Sequence, residues 1–378
     1  MDVMRFVSAL EELGADFYAG VPDSLLSPFV DFIVDKYGIS SRHIVAANEG
    51  AAVGLAAGHY LATSAPAVVY MQNSGIGNAV NPICSLLHTD VYAIPVVFVI
   101  GWRGEPGTKD EPQHVFQGKS TLEMLDCLEI PYVIISKETD DNALSLSVDV
   151  FKGHISNGQS VAFVVCKDSL SNDKKTDKKT SYIPAAKMSR EHALDIVLQE
   201  SGGDDVFICT TGKLSREVFE LREQKGMGHG HDFLTVGSMG HSSMIAYGIA
   251  LARPDKRVFC LDGDGAVLMH MGSLAVIGAN NPKNLVHIVM NNGAHETVGG
   301  VPAVSVGLNL CNIALSMGYR HSYRVTEVCE LLNVLDMVRK SDGAVFVEIM
   351  CNLKSRADLG RPTTSPVENK FVFMGFLC

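Results

Sequence analysis

Residues 257–265, Arg-Val-Phe-Cys-Leu-Asp-Gly-Asp-Gly, followed after 25 further residues by Asn291-Asn292, decide the fold of this chain. Residues 257–261 form a short apolar run that reads as a buried strand, 268–279 read as a helix, and 285–290 as the next parallel strand. Together they make one βαβ unit. Ligands of such units bind beyond the carboxyl ends of the strands, so Asp264 and Asn292 are expected side by side at one sheet edge. A carboxylate, an amide and a backbone carbonyl there suit Mg2+, which takes few protein oxygens and completes its octahedron with phosphate and water. Gly263 and Gly265 let a diphosphate approach the backbone closely. Asp-Gly is also a common turn, and the spaced asparagine pair is what favours the metal reading. The segment 263–268 (GDGAVL) lacks the third glycine of a GxGxxG motif, which argues against a nucleotide-linked dehydrogenase.

Working outward, the 378 residues are enough for two domains, and 47% hydrophobic against 19% charged residues supply a sizeable core for each. The break between them is the lysine-rich stretch 167–181 (KDSLSNDKKTDKKTS), which has no apolar periodicity and reads as a solvated connector. This places a first domain at 1–168, a linker at 169–188 and a second domain at 189–378. Strands are expected at 16–21, 43–46, 67–71, 95–100, 132–135 and 161–165, then at 206–210, 233–236, 257–261, 285–290 and 345–350. Alternation with helical patterns implies an α/β chain of two similar, doubly wound parallel sheets.

A net charge of −11 argues against a nucleic-acid surface. Nine cysteines with no CxxC spacing read as free thiols of a reducing cytoplasm. Residues 1–13 carry acidic residues at helical spacing and do not read as a signal peptide. The apolar run 92–101 is far shorter than the ~20 residues of a membrane span.

With these pieces placed, the chain resembles the thiamine diphosphate-dependent 2-oxo acid decarboxylases. The resemblance extends over Gly20-Val21-Pro22-Asp23-Ser24, Asn48-Glu49-Gly50-Ala51-Ala52, Asn291-Asn292-Gly293-Ala294-His295-Glu296 and Asp358-Leu359-Gly360-Arg361-Pro362-Thr363. It implies a pyrimidine-binding first domain, a diphosphate- and Mg2+-binding second domain and no middle domain. It also implies a homodimer or higher homo-oligomer sharing the cofactor between subunits. Glu49 matches the buried acid that hydrogen-bonds the pyrimidine ring, so that the ring's amino group can take the thiazolium proton. A glutamate in the first turn of a helix is its plainer alternative.

The resemblance further implies Mg2+ on Asp264 and Asn292 by side chain and on Ala294 by its carbonyl. The diphosphate is expected at Gly263 and Gly265, and at Thr211 and Gly212 where a helix start offers N–H groups, unless Thr211 or Ser215 simply caps that helix. In the turn Gly237-Ser238-Met239-Gly240, Ser238 contacts the cofactor and Met239 supports its bent form, or Met239 only fills a core gap. Asp23, His114 and His295 are the acid–base candidates. Helix capping is the alternative for Asp23, and an inert loop position for each histidine.

The implied reaction is decarboxylation of 3-phosphonopyruvate to phosphonoacetaldehyde and CO2, with sulfopyruvate or another 2-oxo acid as alternatives. An inactive cofactor-binding regulatory subunit is the alternative of another class. Arg103, Lys109, Lys354, Arg356 and Arg361 are candidate partners for a second anionic group, and 101–119 is the expected lid.

Overall fold

The computed structural model describes residues 1–172, 186–296 and 300–378. The chain divides into two compact units, the first holding described residues 1–172 and the second 186–296 with 300–378. Residues 173–185, most of the expected linker, lie outside the described residues. Its beginning is docked: the Met1 amine donates to the Ser169 carbonyl at 2.9 Å, and Val3 N donates to the Ser171 carbonyl at 2.8 Å.

In the first unit the strands are β1 (Tyr18–Gly20), β2 (His43–Val45), β3 (Ala67–Gln72), β4 (Val96–Gly101), β5 (Tyr132–Ile135) and β6 (Val161–Val165). They form one parallel sheet in the order β2-β1-β3-β4-β6-β5. β4 and β6 are wholly buried, which is why they read as unbroken apolar runs rather than as alternating ones. From β1 the chain moves to one side of the sheet, and from β3 to the other. The direction therefore reverses between β1 and β3, where α/β sheets hold ligands. The segments leaving these two strands carry Asp23 and the run Asn73-Ser74-Gly75.

The second unit contains β7 (Val206–Cys209), β8 (Asp232–Leu234), β9 (Val258–Gly263) and β10 (Leu285–Asn291). After these come β11 (Ala294–His295), β12 (Val301–Pro302), β13 (His321–Val325) and β14 (Val345–Met350). Six of them make a parallel sheet in the order β13-β14-β10-β9-β7-β8, while β11 and β12 pair antiparallel beside it. Here the reversal lies between β7 and β9, which deliver Thr211 and Asp264.

All eleven expected strands are present, shifted by a residue or two at most ends. β13 is a further one. Its sequence, HSYRV, is a half-exposed edge strand whose polar residues hide the pattern. The helix expected at 268–279 is two helices, Asp264–Met269 and Gly272–Asn280, with His270 leaving helical geometry at φ −134° and ψ 48°. Asp264 is thereby the first residue of a helix rather than part of a turn before one. No helix among the described residues is long and apolar enough to cross a membrane.

Candidate active site

In the second unit, parallel pairing sets Gly263 of β9 opposite Met290 of β10, so the chain leaves both strands at one level and brings Asp264 near residues 291–294. Asp264 is 5% exposed. Burial pushes its pKa up to about 6, against hydrogen bonds from the Ser305 hydroxyl and from backbone N–H groups of Gly265 and Gly293. Asn292 is buried too, its amide oxygen accepting from Ala294 N at 3.1 Å with a second lone pair remaining. Ala294 is 8% exposed. A carboxylate costly to bury unaccompanied, beside an amide oxygen and a backbone carbonyl, is an all-oxygen donor set that fits Mg2+.

Behind this edge Asp262 accepts from Gly263 N at 2.9 Å and faces His287 Nε2 at 3.4 Å, while His287 Nδ1 meets the Tyr319 hydroxyl at 3.1 Å. The Asp262 carboxylate thus braces the end of β9 from which the helix of Asp264 starts.

Across the reversal, Gly212 stands before the helix Lys213–Lys225 with φ 100°, and no side chain among the described residues caps that helix. Ser215 is no cap either, since its hydroxyl donates to the Thr210 carbonyl at 2.7 Å. Beside them Thr210 Oγ1 is buried without a partner among the described residues. An uncapped helix start next to an orphaned hydroxyl fits the diphosphate expected at Thr211 and Gly212. Lys213 reaches Glu296 at 3.2 Å and Ser355 at 2.6 Å, and Arg190 reaches Glu296 at 2.8 Å.

Met239 is half-buried, and its Cε lies 3.4 Å from where a Cβ on Gly265 would stand. His295 Cε1 is 3.7 Å from the same point. Met239, Gly265 and His295 therefore meet, with Ser238 exposed beside them at φ 54°. Burial lowers the His295 pKa to about 4, so its ring is neutral at physiological pH.

In the first unit Glu49 opens the helix Glu49–Thr63, whose cap is Asn48, and is 6% exposed. Its Oε2 accepts from Asn78 Nδ2 at 2.8 Å. Gly75 lies against the other side of the carboxyl group: a Cβ there would be 2.5 Å from Oε1. A first-turn glutamate kept only for the helix dipole would face water, whereas this one is enclosed and oriented.

Asp23 is buried and accepts from Gln72 at 2.7 Å and Leu25 N at 3.1 Å. It does not cap the following helix, which begins later, at Ser27. Burial raises its pKa, with Gln72 and the charge of Arg103 opposing.

The lid segment is helical from Pro112 onward, and its loop is pinned. Trp102 Nε1 donates to the Gly118 carbonyl at 2.9 Å, and Arg103 forks onto Asp110 at 2.8 and 2.5 Å. Residues 106–109 form its exposed tip. His114 is buried at 8% exposure with Nδ1 unpartnered among the described residues, and burial followed by Arg103 lowers its pKa. Of the C-terminal cations, Arg356 is consumed by Glu191, Glu220 and Asp358, a structural knot rather than a free anion site.

Residues that reading by motif overlooked are Gln72, Asn73, Gly75 and Asn78, together with Ser305. Four of them stand in one run, QNSGIGN at 72–78, directly after a buried strand. Amides clustered at that position are a signal in themselves, because a strand's carboxyl end is where polar side chains meet ligands.

The chain matches the family descriptions "Thiamine pyrophosphate enzyme, N-terminal TPP binding domain" over residues 3–124 and "Thiamine pyrophosphate enzyme, C-terminal TPP binding domain" over 210–349. It is 34% identical to a phosphonopyruvate decarboxylase of Streptomyces viridochromogenes, covering 98% of this chain and 94% of that one. A phosphonopyruvate decarboxylase of Streptomyces hygroscopicus is 31% identical, with 96% and 90% covered. A sulfopyruvate decarboxylase of Methanosarcina acetivorans is 27% identical, with 78% and 76% covered.

Proposed function

The chain belongs to the thiamine pyrophosphate enzymes, among relatives that are phosphonopyruvate decarboxylases, and we propose that it decarboxylates 3-phosphonopyruvate to phosphonoacetaldehyde and CO2 with bound Mg2+. The observation that carries this reading is similarity along nearly the whole chain, joined to an intact set of buried oxygen ligands and an enclosed Glu49.

Bound thiamine diphosphate supplies the electron sink for the pair left behind when CO2 departs. Glu49 orients it. With Oε2 occupied by Asn78, Oε1, against which Gly75 packs with no side chain of its own, would be the oxygen left to hydrogen-bond the pyrimidine nitrogen. Asp264, Asn292 and the Ala294 carbonyl would hold Mg2+, and the N–H groups at Thr211 and Gly212 would receive the diphosphate. Gly263 and Gly265 would let the diphosphate lie close to the backbone, Ser238 would border the site, and Met239, packed beside Gly265, would support the cofactor. Asp23, whose burial favours its protonated carboxyl, and neutral His114 serve the acid–base steps, with neutral His295 near the metal loop.

A homo-oligomer is part of this reading, because the resemblance to the thiamine diphosphate-dependent decarboxylases implies a cofactor shared between Glu49 of one subunit and the metal residues of another. A cytoplasmic setting is part of it as well, supported by nine free cysteines.

The test is release of CO2 and aldehyde by purified protein, with and without thiamine diphosphate and Mg2+, from phosphonopyruvate, sulfopyruvate and pyruvate. Cofactor-dependent preference for phosphonopyruvate is expected. Turnover of none of the three would leave the regulatory-subunit alternative, against which the intact Glu49, Asp264 and Asn292 stand.

A further inference from the structure

The loops that leave β1, β4 and β6 enclose a cavity of about 260 Å³ at the carboxyl edge of the first sheet. Ser24, Trp102, Arg103, Lys109, Asp110 and Lys167 line it. We propose that this cavity is the subsite for the substrate's phosphonate dianion, with Lys109 and Lys167 as its counter-charges and Ser24 and Arg103 as fixed donors. The inference rests on the decarboxylase reading and names the part of the site that selects the substrate.

Charge accounting within the cavity carries the argument. Arg103 is held rigidly: Asn73 takes its backbone carbonyl at 2.8 Å, Asp110 takes two guanidinium nitrogens, and Nη1 points at Ser24 Oγ at 3.3 Å. Its charge is therefore already matched by Asp110, and it contributes direction rather than net charge. Asp168, also on the wall, is drawn toward Lys137 at 3.8 Å. Lys109 and Lys167 are different, because among the described residues neither has an ion-pair partner. Two lysines without an ion-pair partner, both with exposed side chains, thus line one open cavity, and their summed charge matches a dianion.

Its size, at the lower end of ligand clefts, admits the anionic end of a small substrate rather than a nucleotide. Its position matches the chemistry too. Ser24 follows Asp23 directly, and Arg103 is close enough to act on the Asp23 carboxyl, so an anion held here projects the rest of the substrate toward the proposed acid. Lys167 belonged to the stretch read as a solvated connector. It lines the cavity where the chain is docked, with Ser169 and Ser171 accepting from the first residues of the chain.

Trp102 lines this cavity and is the only tryptophan of the chain, so its fluorescence reports occupancy without any turnover. The experiment titrates wild-type protein, Lys109→Gln, Lys167→Gln and the double variant with methylphosphonate, using methanesulfonate as the monoanionic control. In parallel, kcat/KM is measured for phosphonopyruvate and pyruvate. Saturable binding of methylphosphonate, stronger than that of methanesulfonate and lost in the double variant, is expected. The ratio of the two specificity constants should fall about tenfold for each lysine and ~100-fold for both, as expected for loss of charged hydrogen bonds.

Absence of a Trp102 response to methylphosphonate in wild-type protein would overturn the subsite. So would an unchanged specificity ratio in the double variant. If wild-type protein turns over no 2-oxo acid but binds methylphosphonate through the lysines, the decarboxylase reading fails while the anion subsite stands.

Discussion

Replacing Gly75 by alanine tests the role of Glu49 without touching it. Gly75 has φ −73° and ψ −16°, ordinary right-handed geometry, so alanine is tolerated by the backbone and slightly stiffens the unfolded chain. The obstacle is the carboxyl group beside it. A Cβ at Gly75 would lie 2.5 Å from Glu49 Oε1, 2.6 Å from Cγ and 2.7 Å from Cδ. Ordinary contact begins near ~3.5 Å, so the carboxyl group must retreat by about 1 Å. Buried, and held on its far side by Asn78, it cannot do so without losing that hydrogen bond or its aim at the pyrimidine.

A misplacement of about 1 Å costs on the order of 10²-fold in rate, or roughly 2.7 kcal/mol of barrier. Glu49→Gln should cost roughly 10² to 10⁴ by removing the acid itself. The assay is kcat for CO2 release at saturating cofactor, with a thermal melt to establish that each variant is folded. Because both changes act through one group, Gly75→Ala in the Glu49→Gln background should add little. A folded Gly75→Ala protein within threefold of wild-type kcat would refute the assignment of Glu49, and full additivity in the double variant would place the effect of Gly75 elsewhere.

Asp264→Ala should lose Mg2+ and thiamine diphosphate binding together, and calorimetric titration showing unchanged cofactor affinity would remove Asp264 from the metal site. The His114 ring should titrate below its ordinary 6.5, because burial and then Arg103 both disfavour the imidazolium. The acid limb of kcat/KM should follow it downward if His114 acts as proposed. Arg103→Met should move the NMR titration midpoint back up, and no movement would mean that the guanidinium charge does not reach the ring. Gly118→Ala puts a Cβ 1.8 Å from the Gly104 carbonyl, so a loss of about 1–3 kcal/mol is expected, read as a lower melting temperature. Emission of Trp102, which donates to the Gly118 carbonyl, should shift with it, and a protein of native stability and spectrum would show that the loop accommodates the methyl group.

What was legible in the sequence was local. Each buried parallel strand announces itself as an apolar run, and the strand–helix–strand spacing around Asp264 and Asn292 is enough to bring them to one edge, since a right-handed crossover permits little else. The edge strand β13 escaped for the converse reason: half-exposed, it has no apolar run to show.

Which neighbours each group has was decided only by the fold. Asn78 reaches Glu49 from 29 positions away and Ser305 reaches Asp264 from 41, at separations that no periodicity encodes. The break at His270 and the early turn at Asp23 reflect tertiary fit rather than local propensity. The same holds for the cavity on the first sheet. Ser24, Arg103 and Lys167 lie on three loops far apart in the chain, and only the strand order, with β1 and β6 on either side of β3 and β4, brings them to one place.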